Sequence, residues 1–189
     1  MTLTPKLVLV GPMGAGKTTV GRRVAASWGV GFRDTDLDIE ESEARPVSDI
    51  FVDSGEPRFR ELEREAVVAA LTGHDGVLAL GGGAVLDERT RAALAGHRVV
   101  FLRVGLADAA KRVGLGVSRP LLLGNVRGRI KQLIDERTPV YESVAAHVVD
   151  TDGLEIDEVV ARVAALFDSG PDSGLDSGLD SGLEDGAHA

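Results

Sequence analysis

The chain has 189 residues, a length for one domain or one domain with a tail, and at 43% hydrophobic and 4% aromatic its core is expected to be Val, Leu, Ile and Ala. It holds no cysteine, which removes disulfides, thiolate metal sites and cysteine nucleophiles together, and a net charge of −9 leaves no basic excess for holding a nucleic-acid backbone. No apolar run approaches bilayer-spanning length, and too few residues precede the first glycine-rich loop for a secretory leader, so the expected setting is the cytoplasm, with neither nucleic acid nor membrane as partner.

Residues 7–10 read as a short buried strand and 17–28 as a helix. Between them Gly11-Pro12-Met13-Gly14-Ala15-Gly16-Lys17-Thr18 meets the pattern G-x-x-x-x-G-K-[ST] at every fixed position. Such a loop lets backbone N–H groups close around phosphate oxygens where side chains would intrude. Gly14, Ala15, Gly16, Lys17, Thr18 and Thr19 are therefore candidates to bind a nucleoside triphosphate at a helix N-terminus. Lys17 supplies a mobile charge for the outer phosphates, and the Thr18 hydroxyl suits Mg²⁺.

Strands are next expected at 30–33, 77–80, 99–104 and 148–149, and helices at 36–43, 57–71, 88–94, 106–112, 126–136 and 155–167. This alternation predicts an α/β fold, a parallel sheet with helices on both faces and ligands beyond the carboxyl ends of its strands. The second strand ends in Asp34-Thr35-Asp36. If the chain stays extended there, both carboxylates share a side, with Asp34 toward Mg²⁺ through water and Asp36 toward the acceptor. The competing reading makes Asp36 a helix N-cap.

Farther along, Arg60 has an exposed partner in Glu56 at i,i+4, or else grips a substrate carboxylate. The third strand runs into Gly81-Gly82-Gly83, bare backbone for close approach to a substrate, or a flexible turn. Residues 114–124 are bounded by glycines and carry Arg119-Pro120, a lid whose arginine can swing over the phosphates and exclude water. Arg137 precedes Thr138-Pro139, where a helix is expected to end; it either complements the helix dipole or binds a carboxylate. On spacing alone the structural roles prevail for Arg60 and Arg137. Residues 169–189 repeat Asp-Ser-Gly-Leu units beyond a 1–168 domain and are expected to form a disordered acidic tail.

The segments GPMGAGKTTVGRR (11–23), DTD (34–36), FRELE (59–63), GGGAV (81–85), SRPLL (118–122) and ERTPVYE (136–142), in this order and separation, resemble the shikimate kinase family over nearly the whole chain before the tail. The resemblance implies a P-loop kinase of the nucleoside-monophosphate kinase type with a five-stranded parallel sheet. It implies ATP and Mg²⁺ as co-substrate and metal, the 3-hydroxyl of shikimate as acceptor, and a step toward chorismate and the aromatic amino acids; the chain is expected to be a monomer. By the same resemblance Thr18 ligates Mg²⁺ directly and Asp34 does so through water. Asp36 holds the ring hydroxyls and can take the 3-hydroxyl proton. Arg60 and Arg137 grip the carboxylate, with Gly81, Gly82 and Gly83 at the substrate and a backbone contact from Gly82. Arg112 covers the adenine, and Lys17 and Arg119 serve the transferred phosphate.

Residues 150–154 lack the proline that relatives often carry after the last strand, which bears on the base contacts. Gluconate shares one carboxylate and several hydroxyls with shikimate, so a gluconate or nucleoside-monophosphate kinase is the nearest rival. A nucleotide-dependent switch is a rival of another class, but no guanine-reading Asn-Lys-x-Asp occurs.

Overall fold

The computed structural model describes residues 3–114 and 125–168. Five strands, β1 (Leu7–Val10), β2 (Phe32–Asp34), β3 (Val77–Ala79), β4 (Val99–Arg103) and β5 (His147–Asp150), form one parallel sheet in the order β2-β3-β1-β4-β5. Val8 stands opposite Leu78 on one side and Val99 on the other, so β1 is central. The chain goes from β1 toward one edge and then, after β3, toward the other. The crevice above β1 is therefore the place where a ligand is received.

Both sheet faces are covered, which explains why the strands read as continuous apolar runs. Leu7, Leu9, Val100 and Leu102 face a core that includes Val20 and Val24 of α1 (Lys17–Trp28), Ala109 of α5 (Leu106–Gly114) and Val159 and Val163 of α7 (Ile156–Asp168). The alternate residues Val8, Val10, Val99 and Phe101 face the opposite core. There they meet Val67, Ala70 and Leu71 of α3 (Val47–Gly73), Leu94 after α4 (Glu88–Ala93) and Tyr141 of α6 (Val126–Val144). Trp28 packs edge-on against Phe167.

Two helices run well beyond their expected bounds, the others departing by at most two residues. α3 begins at Val47, ten residues before the expected start, and is interrupted at Gly55 (φ 79°, ψ 164°). Pro57 then lies in the first turn of the second segment, where its missing N–H costs no hydrogen bond. The first segment offers few apolar positions for a helical period to be read, chiefly Val47, Ile50 and Phe51. With α2 (Thr35–Glu43) it encloses a separate small core of Ile39, Ile50, Phe59 and Leu62.

α6 does not end before Thr138-Pro139; it continues to Val144 with Pro139 inside. Pro139 leaves the Asp135 carbonyl without its helical donor, but both residues lie on the exposed face, where water serves. The Thr138 hydroxyl donates to the Ile134 carbonyl at 2.8 Å. On the inward face Ile130, Leu133, Arg137 and Tyr141 keep a buried stripe unbroken across the proline. Burial of that stripe outweighs the local cost.

Of the expected lid, only Gly114 is described, as the last residue of α5; the rest of it, with Arg119, and the tail at 169–189 lie outside the described residues.

Candidate active site

The loop from Gly11 to Gly16 joins β1 to α1 above the central strand. Gly14 and Gly16 adopt φ of 80° and 89°, the left-handed region that side chains resist, and Gly16 is the N-cap of α1. The first-turn amides of α1 carry no side-chain cap, and the helix dipole favours an anion at this end. Lys17 Nζ donates to the carbonyls of Gly11 (2.7 Å) and Pro12 (3.1 Å), so its ammonium lies over the loop. Thr18 and Thr19 follow in the first turn of α1.

Asp34 ends β2 and is 9% exposed. Its Oδ2 accepts the Thr18 hydroxyl at 2.7 Å, and its Oδ1 accepts the Asp36 N–H at 3.0 Å. The N-cap of α2 is therefore Asp34, not Asp36. The chain does not stay extended through Asp36, as the strand argument assumed; it turns helical at Thr35. The Thr35 hydroxyl accepts the Gly81 N–H at 3.0 Å, tying α2 to the triglycine segment. The turn also points Asp36 at that segment, since a methyl on Gly81 would lie 2.4 Å from Asp36 Oδ1.

The triglycine segment, placed by β3 and followed by a 3-10 turn at Ala84–Leu86, is a meeting point rather than a loose turn. Arg137 Nη1 (3.1 Å) and the Tyr141 hydroxyl (2.5 Å) both donate to the Gly82 carbonyl. Arg60 lies against Gly83, where a methyl would sit 2.1 Å from Nη1. Arg60 keeps its exposed partner, with Nη2 2.9 Å from Glu56 Oε1, and adds a buried one, with Nη1 2.5 Å from Glu63 Oε2. The exposed-pair reading thus has its counterpart, and the second carboxylate that Arg60 meets here is the protein's own Glu63. Phe59 and Phe51 lie beneath its guanidinium at 5.4 and 6.0 Å.

Glu63 is 3% exposed and Arg137 8%. Burial raises the Glu63 carboxyl above its ordinary pKa, although Arg60 and Arg137 pull it back. Burial alone would lower the Arg60 guanidinium, but Glu63 and Glu56 more than offset this and hold it charged. Burial also pushes Tyr141 up to about 12, so its hydroxyl stays a donor. The cluster thus presents two fixed cations, a carboxylate and bare backbone. These are the groups that receive an acid bearing several hydroxyls.

On the opposite side Arg112 of α5 bridges the phosphate loop and the end of β5. Its Nη1 donates to the Gly14 carbonyl (3.1 Å) and to Thr151 Oγ1 (3.2 Å), and its Nη2 donates to the Thr151 carbonyl (2.9 Å).

The fold thus gathers Asp36, Arg60, Gly81, Gly82, Gly83 and Arg137 on one side, Thr18 and Asp34 at the centre, and Arg112 with the phosphate loop on the other. Sequence reasoning missed Glu63, Tyr141 and Thr35. The signal for Glu63 is a carboxylate at an apolar position of α3, among the buried Phe59, Leu62 and Val67.

The shikimate kinase family model matches residues 13–167. A shikimate kinase of Salinispora arenicola is 57% identical over 87% of this chain and 98% of its own length; one of Thermobifida fusca is 56% identical over 87% and 95%. Among solved structures, a shikimate kinase from Acinetobacter baumannii in complex with shikimate superposes with a TM-score of 0.82 at 34% identity, covering 87% of this chain and 93% of that one. A deoxyadenosine kinase from M. mycoides, 15% identical with a TM-score of 0.58, shares the fold. With its phosphate loop, paired aspartates and arginine-lined triglycine cleft in one crevice, this chain belongs to the shikimate kinase family.

Proposed function

We propose that this chain transfers the γ-phosphoryl group of ATP to the 3-hydroxyl of shikimate, giving shikimate 3-phosphate and ADP, a step toward chorismate. One observation carries this reading. A methyl on Gly82 would lie 3.6 Å from the Gly11 carbonyl and 3.7 Å from the Met13 nitrogen, so the carboxylate-binding cluster adjoins the phosphate loop. The Acinetobacter baumannii relative in complex with shikimate supports the acceptor.

Arg60 and Arg137 hold the shikimate carboxylate, and Gly82 adds a backbone contact between Gly81 and Gly83. Asp36 holds the ring hydroxyls and aims the 3-oxygen at the γ-phosphorus. As the new P–O bond forms, the bond from the γ-phosphorus to the bridging oxygen breaks and ADP departs. Asp36 receives the hydroxyl proton. The amides of Gly14, Ala15, Gly16, Lys17, Thr18 and Thr19 cradle the phosphates, and the Lys17 ammonium leaves the loop carbonyls to meet their charge. Arg112 covers the adenine, and Arg119, which lies outside the described residues, serves the transferred phosphate.

The hydroxyl–carboxylate pair of Thr18 and Asp34, both oxygen donors at the phosphate end of the crevice, fits Mg²⁺. Thr18 would hold it directly and Asp34 through water. When bound, Mg²⁺ neutralises charge on the phosphates. We place the enzyme in the cytoplasm as a monomer without nucleic-acid or membrane partners; among the described residues no helix is long and apolar enough to cross a membrane.

A coupled ADP-release assay comparing shikimate, gluconate and nucleoside monophosphates tests the acceptor, and shikimate is expected to be preferred. Asp36→Asn is expected to slow transfer by about 10²–10⁴-fold with ATP affinity nearly intact. Turnover of gluconate as fast as shikimate, or an undiminished Asp36→Asn, overturns the reading.

A further inference from the structure

The acceptor cluster is built from the ends of β2 and β3 with α3 and α6, and the phosphate loop stands over β1. The nucleoside of a triphosphate held there extends over the remaining strand ends, β4 and β5. That half of the crevice is walled by α5 and by residues 150–153, Asp-Thr-Asp-Gly, which a proline does not stiffen.

A set of side-chain bonds holds this segment instead. Arg103 Nε and Nη2 pair with Asp150 Oδ1 and Oδ2 at 2.5 and 2.8 Å. The Gly105 N–H donates to both Asp152 oxygens at 2.8 and 2.9 Å. Asp108 closes the set: its Oδ2 accepts the Gly153 N–H at 2.9 Å and Arg112 Nη2 at 3.3 Å. One carboxylate oxygen thus joins the segment after β5 to the arginine that also reaches Thr151 and Gly14. With its edge donors committed to Thr151, Gly14 and Asp108, the Arg112 guanidinium is fixed in plane, and its flat face is what a purine can stack upon.

We propose that Asp108 is a positioning residue of the nucleotide side, acting through Arg112: it fixes the guanidinium plane and the 150–153 segment as one wall against the base. The inference rests on the placement of ATP proposed above. It goes beyond it by assigning ATP affinity to a carboxylate that does not itself reach the nucleotide.

Steady-state kinetics with ATP and shikimate, together with direct binding of a fluorescent ATP analogue, test this on the full chain. Asp108→Ala is expected to raise both the KM for ATP and the analogue Kd about tenfold, with kcat and the KM for shikimate within about twofold. Asp108→Asn keeps an acceptor oxygen and is expected to fall between the two. Because Asp108 acts through Arg112, the double variant with Arg112→Ala is expected to bind ATP no more than about twofold worse than Arg112→Ala alone. Additive effects, or an equal rise in the KM for shikimate, overturn the proposal. If Arg112→Ala weakens ATP and Asp108→Ala does not, only the positioning role fails. If Arg112→Ala leaves ATP binding untouched, the placement of the base itself is wrong.

Discussion

Replacing Gly83 by alanine puts a methyl group 2.1 Å from Arg60 Nη1 and 2.7 Å from its Cζ, far inside contact distance. Gly83 has φ of −104°, which alanine accepts without strain, so the clash is relieved at the mobile end of Arg60 and not in the backbone. The guanidinium then swings toward solvent, where Glu56 already holds its other nitrogen at 2.9 Å. By the proposed placement, the acceptor would lose one of the two cations that hold it. A hydrogen bond to a charged group contributes about 1.5–3 kcal/mol, which corresponds to about 10- to 150-fold in affinity. The contact is made equally in ground and transition states, so the KM for shikimate rises by that factor while kcat and the KM for ATP stay near wild type. The neighbouring Gly81→Ala sends its methyl to 2.4 Å from Asp36 Oδ1 and 2.7 Å from Glu63 Oε1, so its loss falls on kcat. Initial rates with each substrate varied, and thermal unfolding as a check on folding, separate the two patterns. A Gly83→Ala enzyme with an unchanged KM for shikimate, or one impaired toward ATP, refutes the placement of Arg60.

Glu63 makes stability depend on pH with a definite sign. Burial raises its folded pKa, so between the ordinary carboxylate range and the raised value the native state binds the proton more tightly than the unfolded chain. Stability relative to Glu63→Gln therefore falls as pH rises from about 4.5 to 7, and urea unfolding at both ends that shows a rise instead contradicts the burial argument. At the proposed Mg²⁺ site, Asp34→Ala removes the partner of the Thr18 hydroxyl. The Mg²⁺ concentration for half-maximal rate is expected to rise about tenfold with an unchanged KM for shikimate; an unaltered Mg²⁺ titration removes Asp34 from that site.

What the sequence disclosed follows from how local each signal is. The phosphate loop is written in eight consecutive residues, and the strands that flank it are buried on both faces, so composition alone marks them. Arg60 and Arg137 are far apart in the chain and meet only because α3 and α6 pack on the same sheet face. No spacing rule joins them, and the family resemblance, not periodicity, brought them together. The helix expected to end at Pro139 continues because Tyr141 is wholly buried against Phe101, with ring centroids 5.0 Å apart; a local rule has no access to that contact. The strand rule puts Asp36 on the acceptor side only through an extended backbone; the helix start at Thr35 turns it toward Gly81 instead.

The small cluster of Ile39, Ile50, Phe59 and Leu62 is separate from the two cores that clamp the sheet. Opening it exposes little apolar surface, so α2 and the first segment of α3 can come undone at far lower free energy than the strands. Their amides are then expected to take up deuterium well before those of β1 and β4. A bound acid that bridges Arg60 to Arg137 would delay that uptake, making solvent exchange on these helices a direct gauge of acceptor occupancy.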